Sequence, residues 1–97
     1  MLYTFANREY DIQWLQQIFQ QLTAQDMVLL WQDGVLLPLK YPTLFNQLTQ
    51  YLLLENDVAA RGIAPVLSKI ATNAKCIDLS QTVQITEDYY LKLISKF

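Results

Sequence analysis

Short apolar runs of strand length alternate with segments that carry helix signals, and this alternation constrains the fold more than any other feature. The apolar runs are residues 2–5, 27–32, 51–54, 75–79 and 83–85. Between most of them lie helix-capping residues, prolines and apolar residues spaced at a helical period. Strands that alternate with helices form a mainly parallel sheet covered on both faces. The sequence therefore predicts an α/β fold with a mainly parallel sheet of four to five strands.

The helix after the first apolar run has the clearest pattern. Asp11 is placed to cap it, and its apolar residues share one arc of about 160° as far as Leu22. The opposite arc contains only glutamines (Gln13, Gln16, Gln17, Gln20 and Gln21). Contact with a partner on that arc would desolvate no charge, so we expect it to be a candidate interface.

The second apolar run ends in Gln32-Asp33-Gly34. Asp-Gly between apolar runs is a strong hairpin signal, but Pro38 would remove a ladder donor from the second arm. The sequence therefore favours a turn into a helix that runs from Pro42 to about Gln50. Asp33 stands where ligand crevices open in α/β proteins. Because Asp before Gly is more often a turn residue, we expect its side chain to bond nearby backbone N–H groups.

The segment from residue 55 to residue 62, E-N-D-V-A-A-R-G, predicts a compact helix. Asn56 is its expected N-cap, Asp57 favours its first turn, and Gly62 is placed to be C′ with a positive φ. Asp57 and Arg61 form an i,i+4 pair, which is more often a structural ion pair than a ligand clamp. Pro65 then starts a short helix that ends near residue 70.

The last part of the chain predicts a very short strand at residues 83–85 and a closing helix capped by Thr86. The early acids and late lysines of this segment suit a helix dipole. Its expected apolar stripe is Tyr90, Leu93, Ile94 and Phe97.

Several kinds of site are excluded by residue counts. The chain has no histidine, one cysteine and two glycines, so a histidine- or thiolate-based metal site, a P-loop and a dinucleotide fingerprint are not expected. We expect no cofactor. The net charge of −2 and the absence of a Lys/Arg run argue against direct nucleic-acid binding. Neither a signal peptide nor a membrane span is evident, so we expect a cytoplasmic protein.

The composition favours a subunit rather than a free monomer. The 97 residues suffice for a single domain, 1–97, yet 53% are hydrophobic and only 16% are charged, against about 25% charged in ordinary soluble domains. A small domain has a large surface for its volume, so apolar side chains must remain outside the core. The interface candidates are Tyr41, Tyr51, Tyr89, Tyr90 and Phe97. In the absence of partners, the isolated chain can form a homo-oligomer through the same surface.

Cys76 is the weak catalytic candidate. Lys75 is its only cationic neighbour in sequence, and adjacent residues of a strand face opposite ways. A single cysteine flanked by apolar residues is more often a small core residue than a nucleophile.

Taken together, the motifs resemble the TusB/DsrH family. The resemblance rests on MLYTF at the start, LLWQDGV, L-E-N-D-V-A-A-R-G, and the Ile77-Asp78 strand, in that order along nearly the whole chain. It implies a DsrEFH-like, flavodoxin-like fold of three layers. It also implies assembly with homologous C- and D-type subunits into a heterohexamer that relays persulfide sulfur for 2-thiolation of the wobble uridine of certain tRNAs.

In such a complex the resemblance implies that the D-type subunit carries the sulfur. Some DsrH-type members have a cysteine near the first helix, but residues 1–25 contain none here. Leu79 stands where an aromatic residue commonly follows Ile-Asp in the family, and Phe97 stands where Trp is frequent. We therefore expect a non-catalytic subunit. The alternatives are a persulfide carrier that uses Cys76 and a small-molecule binder that uses a crevice at Gln32 and Asp33.

Overall fold

The computed structural model describes residues 1–88 and 93–96 and contains a five-stranded sheet in which every pair of strands is parallel. The strands are β1 (Leu2–Phe5), β2 (Met27–Leu30), β3 (Tyr51–Leu54), β4 (Ala74–Ile77) and β5 (Leu93–Lys96). The helices are α1 (Ile12–Gln20), α2 (Leu37–Lys40), α3 (Pro42–Asn46), α4 (Glu55–Ala60), α5 (Ala64–Ile70) and α6 (Leu79–Asp88). A 3₁₀ turn, Gln32–Leu36, precedes α2. The predicted α/β fold with a parallel sheet is confirmed.

The strand order β4-β3-β2-β1-β5 determines which helices share a face. From β1 to β4 the chain advances one strand at a time in a single direction. It then returns across the sheet to place β5 beside β1. Because parallel crossovers are right-handed, α1 to α5 lie on one face and α6 lies on the other.

The larger core lies on the face that α1 to α5 cover. It combines side chains of the strands, such as Phe5 and Leu30, with helix residues such as Leu15, Phe45 and Leu67. Edge-to-face aromatic contacts run through it, with ring centroids 5.1 Å apart for the Phe19–Phe45 and Phe45–Tyr51 pairs. Such contacts stabilise a core beyond the area that they bury.

The smaller core lies on the opposite face, beneath α6. Its buried members are Leu2, Leu29, Leu52 and Ile77, and Met27 and Ile85 pack against them. A single helix therefore covers the second face of the sheet in the described part of the chain.

The strands β1 and β3 have the predicted bounds. The apolar run of residues 27–32 forms a strand only as far as Leu30, because the chain turns at Gln32 to start the 3₁₀ turn. As predicted, the turn leads into helical structure rather than a hairpin, and Pro38 lies in the first turn of α2. Pro42 starts α3, which ends at Asn46 rather than near Gln50.

Three predictions for the second half were wrong. Asn56 does not cap α4, because helical backbone already begins at Glu55 and Leu54 is the N-cap. Residues 83–85 are not a strand, and no helix begins at Thr86, because both lie within α6. Asp78 Oδ1 accepts the Gln81 N–H at 2.8 Å and Gln81 Oε1 accepts the Asp78 N–H at 3.0 Å. This reciprocal capping box starts the helix well before Thr86.

The predicted closing helix was also wrong where the structure describes it. Leu93–Lys96 is a strand that pairs with β1, with Leu93 opposite Leu2 and Lys96 opposite Phe5. This segment pairs with the free edge of β1, so its backbone forms hydrogen bonds between strands instead of hydrogen bonds within a helix. Tyr89, Tyr90 and Phe97 lie outside the described residues.

Candidate functional site at the carboxyl edge of the sheet

The two sequence motifs at Gln32 to Gly34 and at Asp57 to Gly62 meet in space. The first follows β2 and the second belongs to α4, which follows β3 directly. Because β2 and β3 are neighbouring parallel strands, both motifs emerge at the carboxyl edge of the sheet.

Arg61 joins the two motifs. Its Nη2 and Nε atoms donate to Asp33 Oδ1 at 2.7 and 3.2 Å. Its Nη1 atom donates to the Asp57 carbonyl oxygen at 3.0 Å and lies 3.5 Å from Asp57 Oδ1. The predicted i,i+4 pair is therefore present, and the same guanidinium also holds the Asp33 carboxylate. Asp33 was expected to bond backbone N–H groups, so the predicted position was right and the partner was wrong.

Asp57 extends the network to the backbone of the turn. Its Oδ2 atom accepts the Gln32 N–H at 2.6 Å. Gln32 has a φ of 51°, and it is the one residue other than glycine with a positive φ in the part of the chain that the structure describes. A residue other than glycine in this backbone conformation costs about 1–3 kcal/mol, and the hydrogen bond that the Gln32 N–H donates to the Asp57 carboxylate offsets part of that cost. Local sequence gave no signal for this bond, because its partners are far apart in the chain.

Gly34 brings the turn against the end of β1. Its N–H lies 3.1 Å from the Ala6 carbonyl oxygen and 2.9 Å from that of Trp31. A Cβ atom at this position would lie 1.9 Å from the carbonyl oxygen of Phe5. Glycine is therefore required by a close backbone approach.

Gly62 ends α4 with a φ of 61°, the left-handed conformation that the sequence predicted. Its N–H donates to the Ala59 carbonyl at 3.1 Å, and the Ile63 N–H donates to the Val58 carbonyl at 3.4 Å. This pair of bonds is a Schellman motif, and it orders the helix end from which Arg61 reaches Asp33.

These contacts join the turn after β2 to α4, which is a structural role. The single guanidinium contacts both carboxylates, so neither of them is an unpaired base. A cavity of about 390 Å³ lies at the amino edge of the sheet and is lined in part by Thr23, Asp26, Gln47 and Gln50. The expected crevice beside Gln32 and Asp33 therefore does not coincide with it.

Cys76 lies on the edge strand β4, at the register position opposite Leu53. Its side chain is exposed, so the expectation that it is a small core residue was wrong. Partial burial raises the pKa of the Cys76 thiol, and the negative charge of Glu55 raises it further. A raised pKa lowers the fraction of thiolate, which is the nucleophilic form.

The tyrosines proposed for an interface differ in position. Tyr51 was wrongly assigned, because it is fully buried in the larger core, where burial raises the pKa of its hydroxyl to about 12. Tyr41 is half-buried, and its hydroxyl donates to the Tyr10 carbonyl at 3.2 Å.

The glutamine arc of α1 is exposed, as are several large apolar side chains on other helices. These include Val66 and Ile70 on α5 and Leu79 and Val83 on α6. Among the described residues, no helix is long and apolar enough to span a bilayer.

Comparison with known proteins gives consistent results over almost the whole chain. The family described as DsrH like protein matches residues 9–90. An uncharacterized protein of Haemophilus influenzae is 38% identical over 94 residues, which is 96% of this chain and 98% of that protein. Proteins named TusB from Yersinia pestis and Yersinia pseudotuberculosis are 34% identical over 90 residues, which is 89% of this chain and 90% of each of those proteins.

Proposed function

Because this chain belongs to the DsrH family, we propose that it is a non-catalytic subunit of a cytoplasmic sulfur-relay complex. Its partners are homologous C- and D-type subunits, and the assembly is a heterohexamer. The sulfur that the complex relays serves 2-thiolation of the wobble uridine in tRNA. Similarity to the Yersinia TusB proteins over about nine-tenths of both chains supports this proposal.

The environment of Cys76 carries the non-catalytic part of the proposal. A persulfide carrier needs a thiolate, and thiolates form beside cations or at helix N-termini. Here the charge that acts on the thiol is the carboxylate of Glu55, which has the opposite effect. The sulfur therefore travels on a partner subunit, and this chain contributes structure.

The surface supports a role in assembly. Leu79 and Val83 are 58% and 52% exposed and lie one helical turn apart on α6. The exposed face of α1 carries the uncharged glutamines. Both surfaces suit a permanent interface, because covering them desolvates few charges.

Co-expression with C- and D-type partners, followed by mass measurement of the purified assembly, tests the proposed function. We expect one stable complex that contains all three subunits. A chain that sediments as a monomer at high concentration and binds neither partner would contradict the proposal. A homo-oligomer of the isolated chain agrees with it if the partners displace the second copy.

Replacement of Cys76 tests the non-catalytic role separately. We expect Cys76→Ser to retain full tRNA thiolation in cells that lack the native subunit, with the complex intact. Loss of thiolation by an intact complex would assign the sulfur-carrying step to Cys76. Equilibrium titration of the isolated chain with nucleotides and flavins tests the small-molecule alternative, and we expect no saturable binding.

A further inference from the structure

The loop after β1 lies at the topological switch point of the sheet. On one side of β1 the chain continues through α1 to β2, and on the other side α6 leads into β5, so the two crossovers cover opposite faces. In open α/β sheets, ligands bind outside the carboxyl ends of the strands at such a point. Backbone N–H groups of the loop and of the following helix form the anion-binding part of the site.

In this chain an internal oxygen atom already occupies the loop amides. The N–H groups of Ala6 and Asn7 both donate to the hydroxyl oxygen of Tyr10, at 3.1 and 3.2 Å. Two successive amides that converge on one oxygen are the arrangement that binds an anion in other proteins. The Tyr10 ring packs edge-on against Phe5 at 5.4 Å and stacks on Trp14 at 5.8 Å, so its position is defined by packing as well.

A second internal oxygen occupies the amides at the start of α1. Asp11 Oδ1 accepts the N–H of Gln13 at 2.9 Å and that of Trp14 at 3.4 Å. The carboxylate also places a negative charge where an anion would enter. Of the other charged residues in this loop, Arg8 is exposed and Glu9 is paired with Lys40.

We infer that Tyr10, together with Asp11, closes the anion-binding position at the switch point from within the chain. The hydroxyl oxygen takes the place of an oxygen of a bound anion, and the ring is held in place by its contacts with Phe5 and Trp14. The closure excludes phosphoryl groups from this subunit, and a persulfide anion is excluded for the same reason. Tyr10 is thus a residue that determines specificity by exclusion, whether or not the chain acts in a sulfur relay.

Amide hydrogen exchange tests the role of the hydroxyl. Tyr10→Phe removes the acceptor and keeps the ring, so we expect exchange at Ala6 and Asn7 to become about fivefold faster, the equivalent of about one hydrogen bond. Tyr41→Phe is the matched control, because its hydroxyl bonds the same loop without contacting these amides. Unchanged exchange in Tyr10→Phe would overturn the assignment of the hydroxyl as the occupant.

Titration with inorganic phosphate tests the closure itself, with the amide resonances of Ala6 and Asn7 as the readout. We expect no saturable shift in the wild-type chain. Tyr10→Leu removes the hydroxyl and opens space while keeping an apolar contact with Phe5 and Trp14. Combined with Asp11→Gly, which keeps most of the helix cap energy, it should give a saturable shift of the Ala6 and Asn7 amide resonances with phosphate. Saturable binding by wild type, or none by the folded double variant, would overturn the inference.

Discussion

At the residue scale, the two glycines of the site are required for different reasons. A Cβ on Gly62 would meet nothing within 4 Å, so only its φ of 61° opposes substitution. Gly62→Val should therefore lower the free energy of unfolding by about 1–2 kcal/mol. Gly34→Ala should cost about 3 kcal/mol or more, because the new methyl group would overlap the Phe5 carbonyl. Urea denaturation of both variants measures this order, and a Gly34→Ala variant of near wild-type stability would contradict it.

The carboxylate of Asp33 makes a modest contribution to stability. It is 51% exposed and Arg61 is 26% exposed, so solvent screens the pair. Asp33→Asn should lower the free energy of unfolding by about 0.5–1 kcal/mol, with no loss of tRNA thiolation by the assembled complex. Glu9→Gln is the control, since it removes a more exposed pair with Lys40 and should leave the urea midpoint unchanged. A stable Asp33→Asn complex without thiolation would show a functional role for this carboxylate.

The reactivity of Cys76 depends on partial burial of its thiol and on the negative charge of Glu55. Because the pKa of the thiol is raised by burial and by this carboxylate, alkylation by iodoacetamide should be slower at pH 7 than for an unperturbed thiol. The rate should increase as pH rises through the raised pKa. Glu55→Gln removes one of the two causes, so its rate at pH 7 should be higher than that of wild type. Equal alkylation rates of wild type and Glu55→Gln at every pH would show that Glu55 does not act on Cys76.

At the element scale, the start of α6 depends on the capping box of Asp78 and Gln81. Asp78→Ala removes the cap and should lower the free energy of unfolding by about 1 kcal/mol. Thr86→Ala is the control, because Thr86 lies within the helix and its hydroxyl bonds the Thr82 carbonyl. We expect that change to stay within about 0.5 kcal/mol, measured by urea denaturation followed by circular dichroism. A larger loss of stability in Thr86→Ala than in Asp78→Ala would place the helix start at Thr86.

The sequence predicted elements well where local chemistry alone determines them. Asp11 caps α1, and Pro42 and Gly62 mark the ends that were predicted. Residues 83–85 were wrongly predicted to be a strand because Val and Ile favour strands. The capping box upstream outweighs that preference. Thr82 and Thr86 satisfy their hydroxyls on carbonyl oxygens one turn earlier, so the helix tolerates its branched residues.

The site was predictable in its residues but not in its connections. Gln32, Asp33, Asp57 and Arg61 were selected from two separate motifs, and the sequence paired only Asp57 with Arg61. The contacts of Arg61 with Asp33 and of Asp57 with the Gln32 N–H depend on adjacency of β2 and β3. Tyr10 gave no signal, because its role depends on where the backbone of the preceding loop turns.

At the scale of the whole molecule, the two faces of the sheet differ in how much they bury. Among the described residues, the larger core includes side chains of five helices, and the smaller core includes side chains of one helix, α6. Segments with fewer buried contacts open at lower free energy, so amides of α6 should exchange with solvent before those of β2 and β3. Hydrogen exchange followed by mass spectrometry measures the order. Uniform protection across the three segments would contradict it.

The position of β5 beside β1 has a consequence for how the sheet forms while the chain is being synthesised. Translation delivers β1 first and β5 last, yet the two are neighbours in the sheet. The strands β1 to β4 can pair as they leave the ribosome, while β1 keeps one unpaired edge until residues 93–96 arrive. An unpaired edge binds any suitable strand, including the corresponding strand of a second nascent chain. The interval between the first strand and the last is therefore the period in which neighbouring nascent chains can exchange strands.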